Sequence, residues 1–158
     1  TSVTQQNAPQ MNYDQLKLEN QLCFPVYAAS RLITKAYQPY LEKIGITYPQ
    51  YLVLLVLWEH DKTPVNDIAK KLILKTNTLT PMVKRMEEMG IVNRVKSTKD
   101  ERKVFVCLTT KGKRLKDKCA TIPESLAADI MNDEIPVEQL INLKDNLSAL
   151  IAHLGDKR

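Results

Sequence analysis

The chain has 158 residues, 44% of them hydrophobic, and a net charge of +5, which suits one domain with its own core. Its longest uninterrupted apolar run, Tyr51 to Trp58, is eight residues, well short of the roughly 20 that a membrane span needs, so a soluble protein with no membrane partner is expected. Three cysteines, an odd number without metal-ligand spacing, and two distant histidines argue against a disulfide-stapled secreted scaffold and against a metal site; a reducing cytoplasm is the expected location, and no cofactor is expected.

Residues 1–12 are polar, lack apolar periodicity and are expected to be a disordered or processing-derived tail. Residues 14–43 carry Leu18, Leu22, Val26, Ala29, Ile33, Tyr37 and Leu41 at helical spacing, which predicts one long helix ending near Gly45, bent or interrupted at Pro25 and Pro39. Thr47 with Pro49 opens a second helix to about Glu59. It is apolar nearly all round and is expected in the core. Thr63 and Pro64 repeat that start for the helix V-N-D-I-A-K-K-L. Residues 76–89 form the next helix, with Leu79, Met82, Val83, Met86 and Met89 inward and Gly90 as its stop.

The period then changes. Residues 91–97 and 103–109 are β-branched and alternate, so they predict a two-stranded hairpin with the charged tip T-K-D-E-R. Thr110 is expected to cap a helix to about Met131, bent at Pro123. Pro136 opens a last helix, 137–154, striped by Leu140, Leu143, Leu147, Leu150 and Leu154.

Charge is partitioned along this order. Residues 62–114 hold 14 Lys/Arg against 5 Asp/Glu, a net of +9, and the rest of the chain nets −4. A basic segment ordered helix, helix, strand, charged loop, strand is a winged helix-turn-helix, and double-stranded DNA is its expected partner. Thr76, Asn77, Thr78, Thr80, Lys84 and Arg85 are left on the polar side of the second helix for a major groove. Arg102 at the hairpin tip suits a narrow minor groove, with Asp100 placed to hold its guanidinium. The expected fold class is therefore mainly α with a two-stranded β wing and about six helices. Residues 47–111 form the DNA-binding domain, and 13–46 with 112–158 form a helical dimerisation region, because the first and last helices carry more apolar periodicity than such a core uses. A homodimer would read two half-sites about one helical turn, or a multiple of it, apart.

With these elements in place, L-T-P-M-V-K-R-M-E-E-M-G-I-V-N-R (79–94) followed by D-E-R-K-V-F-V-C-L-T (100–109) resembles the MarR family of bacterial winged-helix regulators over roughly residues 14–154. Three further stretches narrow the resemblance. They are L-E-N-Q-L-C-F-x-V-Y-A-A-S-R (18–31), T-K-A-Y-Q-P-Y-L (34–41) and I-T-Y-P-Q-Y-L-V-L-L-V-L-W-E (46–59), and they are similar to the organic-hydroperoxide-sensing repressors of that family. The resemblance implies that Cys23 is the redox sensor, that organic hydroperoxide is the oxidant, and that oxidation releases operator DNA. It also implies that Tyr27, Tyr37 and Tyr48 surround the thiol. Tyr27 is one turn from Cys23, whereas Tyr37, 14 residues on, lies about 21 Å along a continuous helix at 1.5 Å per residue. A helix break or the partner chain must supply it.

Two departures from the family pattern stand out: Pro25 beside the sensor, and Lys75 opening L-K-T-N-T-L-T where many relatives have an acid. Cys107 is read as a packing residue of the second wing strand. Cys119 is a possible second thiol; a disulfide to the sensor, as some members form, and a one-cysteine scheme using a low-molecular-weight thiol both stand open. A regulator released by a small aromatic ligand, with Cys23 incidental, is the alternative function. A nonspecific architectural DNA binder predicts similar affinity for unrelated sequences. An enzyme is not expected, since a thiol peroxidase would need a substrate cleft, a resolving CxxC or a Thr/Arg set around Cys23, and the sequence offers none of them.

Overall fold

The computed structural model describes residues 11–155. Of the expected tail, residues 1–10 lie outside the described residues, and Met11 and Asn12 are exposed. The chain divides into two compact units, one through Ala36 and one from Tyr37 onward.

In the first unit the expected single helix is corrected. Residues Asp14–Leu16 and Leu18–Asn20 are short 3-10 turns, and α1 (Cys23–Glu42) begins only at Cys23. Side-chain amides take the carbonyls that a longer helix would have used. Asn20 Nδ2 donates to Asp14 O (2.6 Å), and Gln21 Nε2 donates to Gln15 O (2.7 Å) and Lys17 O (2.9 Å). Pro25 has no amide hydrogen for the Gln21 carbonyl, so a helix through Gln21 would lose that bond and meet the proline ring. As the third residue of α1, Pro25 sits where amides have no helical partner in any case. It therefore marks the start of the helix and does not bend it. Pro39 lies inside α1, which runs on past it to Glu42.

The second unit contains α2 (Tyr48–Glu59), β1 (Thr63–Pro64), α3 (Val65–Leu72), α4 (Thr76–Glu88), β2 (Val92–Lys96), β3 (Val104–Leu108), α5 (Thr110–Cys119), α6 (Ile122–Ile130) and α7 (Val137–Gly155). The cap expected at Thr47 is present, and Gln50 completes it as a capping box: Thr47 Oγ1 accepts from Gln50 N (3.3 Å), and Gln50 Oε1 accepts from Thr47 N (3.0 Å). Helix α2 is the central core helix, with Val53, Leu54 and Leu57 fully buried. It packs on α3, α4, α5 and β3. Ile68, Leu79, Val83, Met86, Ile91, Val92 and Val106 complete a dry centre, each large side chain contributing about 1.5–3 kcal/mol by leaving water.

The sheet has three strands, not two, in the antiparallel order β1-β3-β2. Thr63 and Pro64 pair with Val106 and Phe105, where a proline is tolerated because β1 is an edge. Thr63 is thus not the helix cap; its Oγ1 donates to His60 O (2.5 Å), and Pro64 precedes α3 without a side-chain cap. The helix expected over 110–131 is two helices. Thr109, not Thr110, caps α5, accepting from Gly112 N (3.1 Å). The chain turns at Ala120–Thr121, and Pro123 falls in the first turn of α6, where its missing amide costs nothing. Seven α-helices are therefore present among the described residues where about six were expected.

Two surfaces stay apolar. On α1, Phe24, Val26, Tyr27 and Leu32 are exposed, with Leu22 just before it; on α7, which buries no residue, so are Val137, Ile141, Leu143, Leu150, Ile151 and Leu154. Among the described residues no helix is long and apolar enough to cross a membrane, and no group of three or more His, Cys, Asp or Glu side chains is placed to hold a metal ion.

Candidate functional site

The polar face of α4 is open along its length: Thr76, Asn77, Thr78, Thr80, Lys84 and Arg85 are all exposed, while Leu79, Val83 and Met86 on the other side anchor the helix in the core. Two of the hydroxyls are already committed as donors. Thr76 Oγ1 bonds Asn66 Oδ1 (3.0 Å), tying the start of α4 to α3, and Thr80 Oγ1 donates back to Thr76 O (2.9 Å). The side chains of Asn77, Thr78, Lys84 and Arg85 are without hydrogen-bond partners among the described residues. Pro81 lies within α4 and withholds the amide that the Asn77 carbonyl would accept. The first amides of α4 have no side-chain cap, which suits an anion at that helix end.

The wing is held at its tip by short local bonds. Ser97 Oγ accepts from the amides of Lys99 (3.2 Å) and Asp100 (3.3 Å), and Asp100 Oδ1 accepts from Arg102 N (3.1 Å). The same Asp100 oxygen lies 3.6 Å from Arg102 Nε, and the Arg102 side chain is 95% exposed. The pairing expected from sequence is present, and it holds a guanidinium that projects into solvent.

Sequence reasoning missed three groups here. Asn66 links α3 to α4, Lys103 follows Arg102, and Glu87 binds Arg94 across the turn between α4 and β2. An acid in the last turn of the helix and a base on the adjoining strand were visible in the sequence, but their meeting depends on that turn.

In the other unit Cys23 is exposed as the first residue of α1. Tyr27 follows one turn later, and the Arg31 guanidinium lies 5.2 Å from the Tyr27 ring centroid, so Cys23, Tyr27 and Arg31 share one face of the helix. Tyr37 and Tyr48 belong to an aromatic cluster of the second unit. Their centroids are 4.9 Å apart, and Tyr51 lies 5.7 Å from Tyr37 and 6.3 Å from Tyr48. Burial pushes both phenols above the ordinary tyrosine range, with the neighbouring Tyr48 adding to the effect on Tyr37. They therefore stay protonated and able to donate a hydrogen bond.

The other two thiols are placed differently. Cys119 is only 3% exposed, in the core, and burial raises its pKa. Cys107 is half-buried on β3, opposite Asn93; desolvation raises its pKa first, then Asp61.

Residues 35–119 match the family model for the transcriptional regulators SarA/Rot. The organic hydroperoxide resistance transcriptional regulator of Bacillus subtilis (strain 168) is 46% identical over 145 residues, covering 92% of this chain and 97% of that protein. Among solved structures, reduced AbfR bound to DNA aligns with a TM-score of 0.74 and 36% identity over 91% of this chain and 99% of the other. The disulfide-formed AbfR aligns with a TM-score of 0.61 and 36% identity over 89% of this chain and 93% of the other. AbfR is a protein of Staphylococcus epidermidis.

Proposed function

This chain belongs to the MarR-type winged-helix transcriptional regulators, with the organic-hydroperoxide regulators among its relatives, and from that membership we propose that it is a dimeric, sequence-specific repressor whose input is oxidation of Cys23. The observation that carries the reading is an exposed thiol opening α1 in a chain whose other unit presents an exposed polar helix face beside an arginine-tipped wing. Helix α4 enters the major groove, where Asn77, Thr78, Lys84 and Arg85 meet base edges and phosphates, with Thr76 and Thr80 alongside. Arg102, steadied by Asp100, enters the minor groove.

The dimer forms through the exposed apolar faces of α1 and α7, and two copies read two half-sites. Tyr37 and Tyr48 of the partner subunit, with Tyr27 from the same helix, donate to the Cys23 sulfur. The thiolate is the reactive form, and a helix N-terminus favours negative charge. Its sulfur attacks the outer peroxide oxygen of an organic hydroperoxide, the O–O bond breaks, and the alcohol leaves with a proton while Cys23 becomes a sulfenic acid. A low-molecular-weight thiol then condenses with it, releasing water and leaving a mixed disulfide. Cys119 is buried and held protonated, which favours this one-cysteine scheme over a resolving role. The added group disturbs the dimer interface and shifts the population away from operator spacing. The chain acts in this way in the cytoplasm, as a regulator and not as an enzyme.

The test uses a duplex that the reduced protein itself selects from a random-sequence library, with affinity measured before and after cumene hydroperoxide. Wild type and Cys119→Ala should both lose affinity on oxidation, and Cys23→Ser should not. A Cys23→Ser protein that still releases the duplex would sink the sensor assignment.

A second reading has one observation in its favour. A hollow of about 200 Å³, lined by Tyr51, Leu55, Trp58, Lys116, Cys119 and Pro123, offers apolar walls to a small aromatic ligand. Release by such a ligand, unaffected by peroxide, would support it.

A further inference from the structure

We infer that Glu87 and Arg94 form a positioning clamp that sets the wing against the DNA-reading helix α4, so that Glu87, an acid beside a polyanion site, strengthens DNA binding. The inference deepens the DNA-binding reading above and rests on it.

Glu87 lies in the last turn of α4, and Arg94 is the third residue of β2. Both carboxylate oxygens are engaged. Oε2 accepts the backbone N–H of Arg94 at 2.7 Å, and Oε1 accepts Nε at 3.3 Å and Nη2 at 3.2 Å. Because β2 is an edge of the sheet, its outer amides need a partner outside the ladder, and Glu87 supplies one. The clamp thus grips strand backbone as well as side chain, which a simple surface ion pair does not do. The two side chains are 31% and 34% exposed, so the pair is partly shielded from salt. Arg94's backbone amide above all, helped by its guanidinium and opposed by desolvation, holds the Glu87 carboxyl below the usual carboxylate range.

The position of the clamp gives it a role. Arg94 lines a cleft of about 210 Å³ between α4 and the wing, together with Asn66, Thr76, Thr80, Arg102 and Lys103. Thr76 and Thr80 belong to the helix that reads the major groove, and Arg102 and Lys103 to the wing. These two elements must meet grooves at a fixed separation, and the Gly90 turn between α4 and β2 is short. Charge-assisted hydrogen bonds with two-point geometry fix an angle as well as a distance.

A competing role for Arg94 is direct phosphate contact, and the two roles predict opposite signs. Glu87→Gln frees Arg94 and removes a negative charge from the DNA face. If Arg94 acts as a phosphate ligand, affinity rises. If the pair is a clamp, affinity falls about tenfold, the scale of losing a hydrogen bond to a charged group.

The experiment measures affinity of the full chain for its selected duplex by fluorescence anisotropy, in wild type, Glu87→Gln, Arg102→Ala and the double variant. The expected result is a tenfold loss for Glu87→Gln that shrinks below about threefold in the Arg102→Ala background, since a wing without its arginine has less to position. Unchanged or tighter binding by Glu87→Gln, or an equal loss in both backgrounds, overturns the clamp. Should Glu87→Gln melt too low to assay, Arg94→Lys keeps the charge and the backbone bond but loses the paired guanidinium bonds to Oε1; it should show a smaller loss in the same direction, and wild-type affinity from it overturns the clamp equally. A wild type that selects no duplex overturns this inference and the regulator reading together. Wild-type selectivity with no clamp effect overturns this inference alone.

Discussion

The rings of Tyr37 and Tyr48 lie 4.9 Å apart, centroid to centroid, tilted by 45°. One phenol comes from the later part of α1 and the other from the first residue of α2. The contact joins two helices that the Gly45 turn separates, and it brings two protonated phenols into one neighbourhood. If that neighbourhood receives the sensor sulfur of a second copy, Tyr37→Phe and Tyr48→Phe should each slow Cys23 oxidation by cumene hydroperoxide about tenfold, the scale of one charge-assisted hydrogen bond. The check is the pseudo-first-order loss of free Cys23 thiol. Rates equal to wild type in both variants would place the phenols elsewhere.

Behind the pair sits Tyr51, 3% exposed, its pKa pushed up to about 12 by burial, with Tyr37, Cys119 and Tyr48 adding to the effect. An unfolded tyrosine ionises near 10. The folded pKa is the higher of the two, so the stabilisation is fully present below pH 10 and is lost as pH rises toward 12. Tyr37 and Tyr48 act in the same direction. Urea midpoints should therefore fall steeply across pH 10–12, and Tyr51→Phe should flatten that fall. An identical alkaline slope in the variant would count against the buried phenol as its source.

Arg102 projects from the wing, 95% exposed and paired with Asp100, so its removal should leave folding alone and change DNA binding. Arg102→Ala is expected to cost about tenfold in operator affinity and to lower the salt slope by about one if the guanidinium neutralises a phosphate. Asp100→Asn should cost less, since it loosens the arginine without deleting it. Titrations at several salt concentrations read both quantities. Wild-type affinity in Arg102→Ala would remove the wing tip from the interface.

Gly112 is required by a close approach. A Cβ there would lie 2.1 Å from the Ile91 carbonyl oxygen and 3.2 Å from Leu108 Cδ2. The Gly112 carbonyl also accepts from Trp58 Nε1 at 3.1 Å. Gly112→Ala should force α5 away from the start of β2 and destabilise the fold by more than about 2 kcal/mol, as overpacking against backbone does. Thermal and urea unfolding measure it; a loss under about 0.5 kcal/mol, the range of an ordinary surface substitution, would contradict the packing described.

What the sequence determined by itself was local or periodic. The Thr47 cap, the Gly90 stop and the Asp100–Arg102 pair depend on residues a few positions apart, and the helix–helix–hairpin order and the basic segment follow one continuous stretch, so spacing and composition along the chain reveal them. The tyrosines and Cys23 were legible by resemblance, since no spacing rule joins residues 23, 37 and 48. Tertiary structure decided the rest. Thr63 became a strand because β3, far along the chain, offered an open edge. Side-chain amides and the missing Pro25 hydrogen together delayed α1 to Cys23. Cys119 became a core residue because α5 packs on α2, and Glu87 found Arg94 because the turn between α4 and β2 folded back. Each of these outcomes satisfies a backbone group or buries a side chain with a partner distant in sequence or brought round by a turn, and periodicity carries no record of such partners.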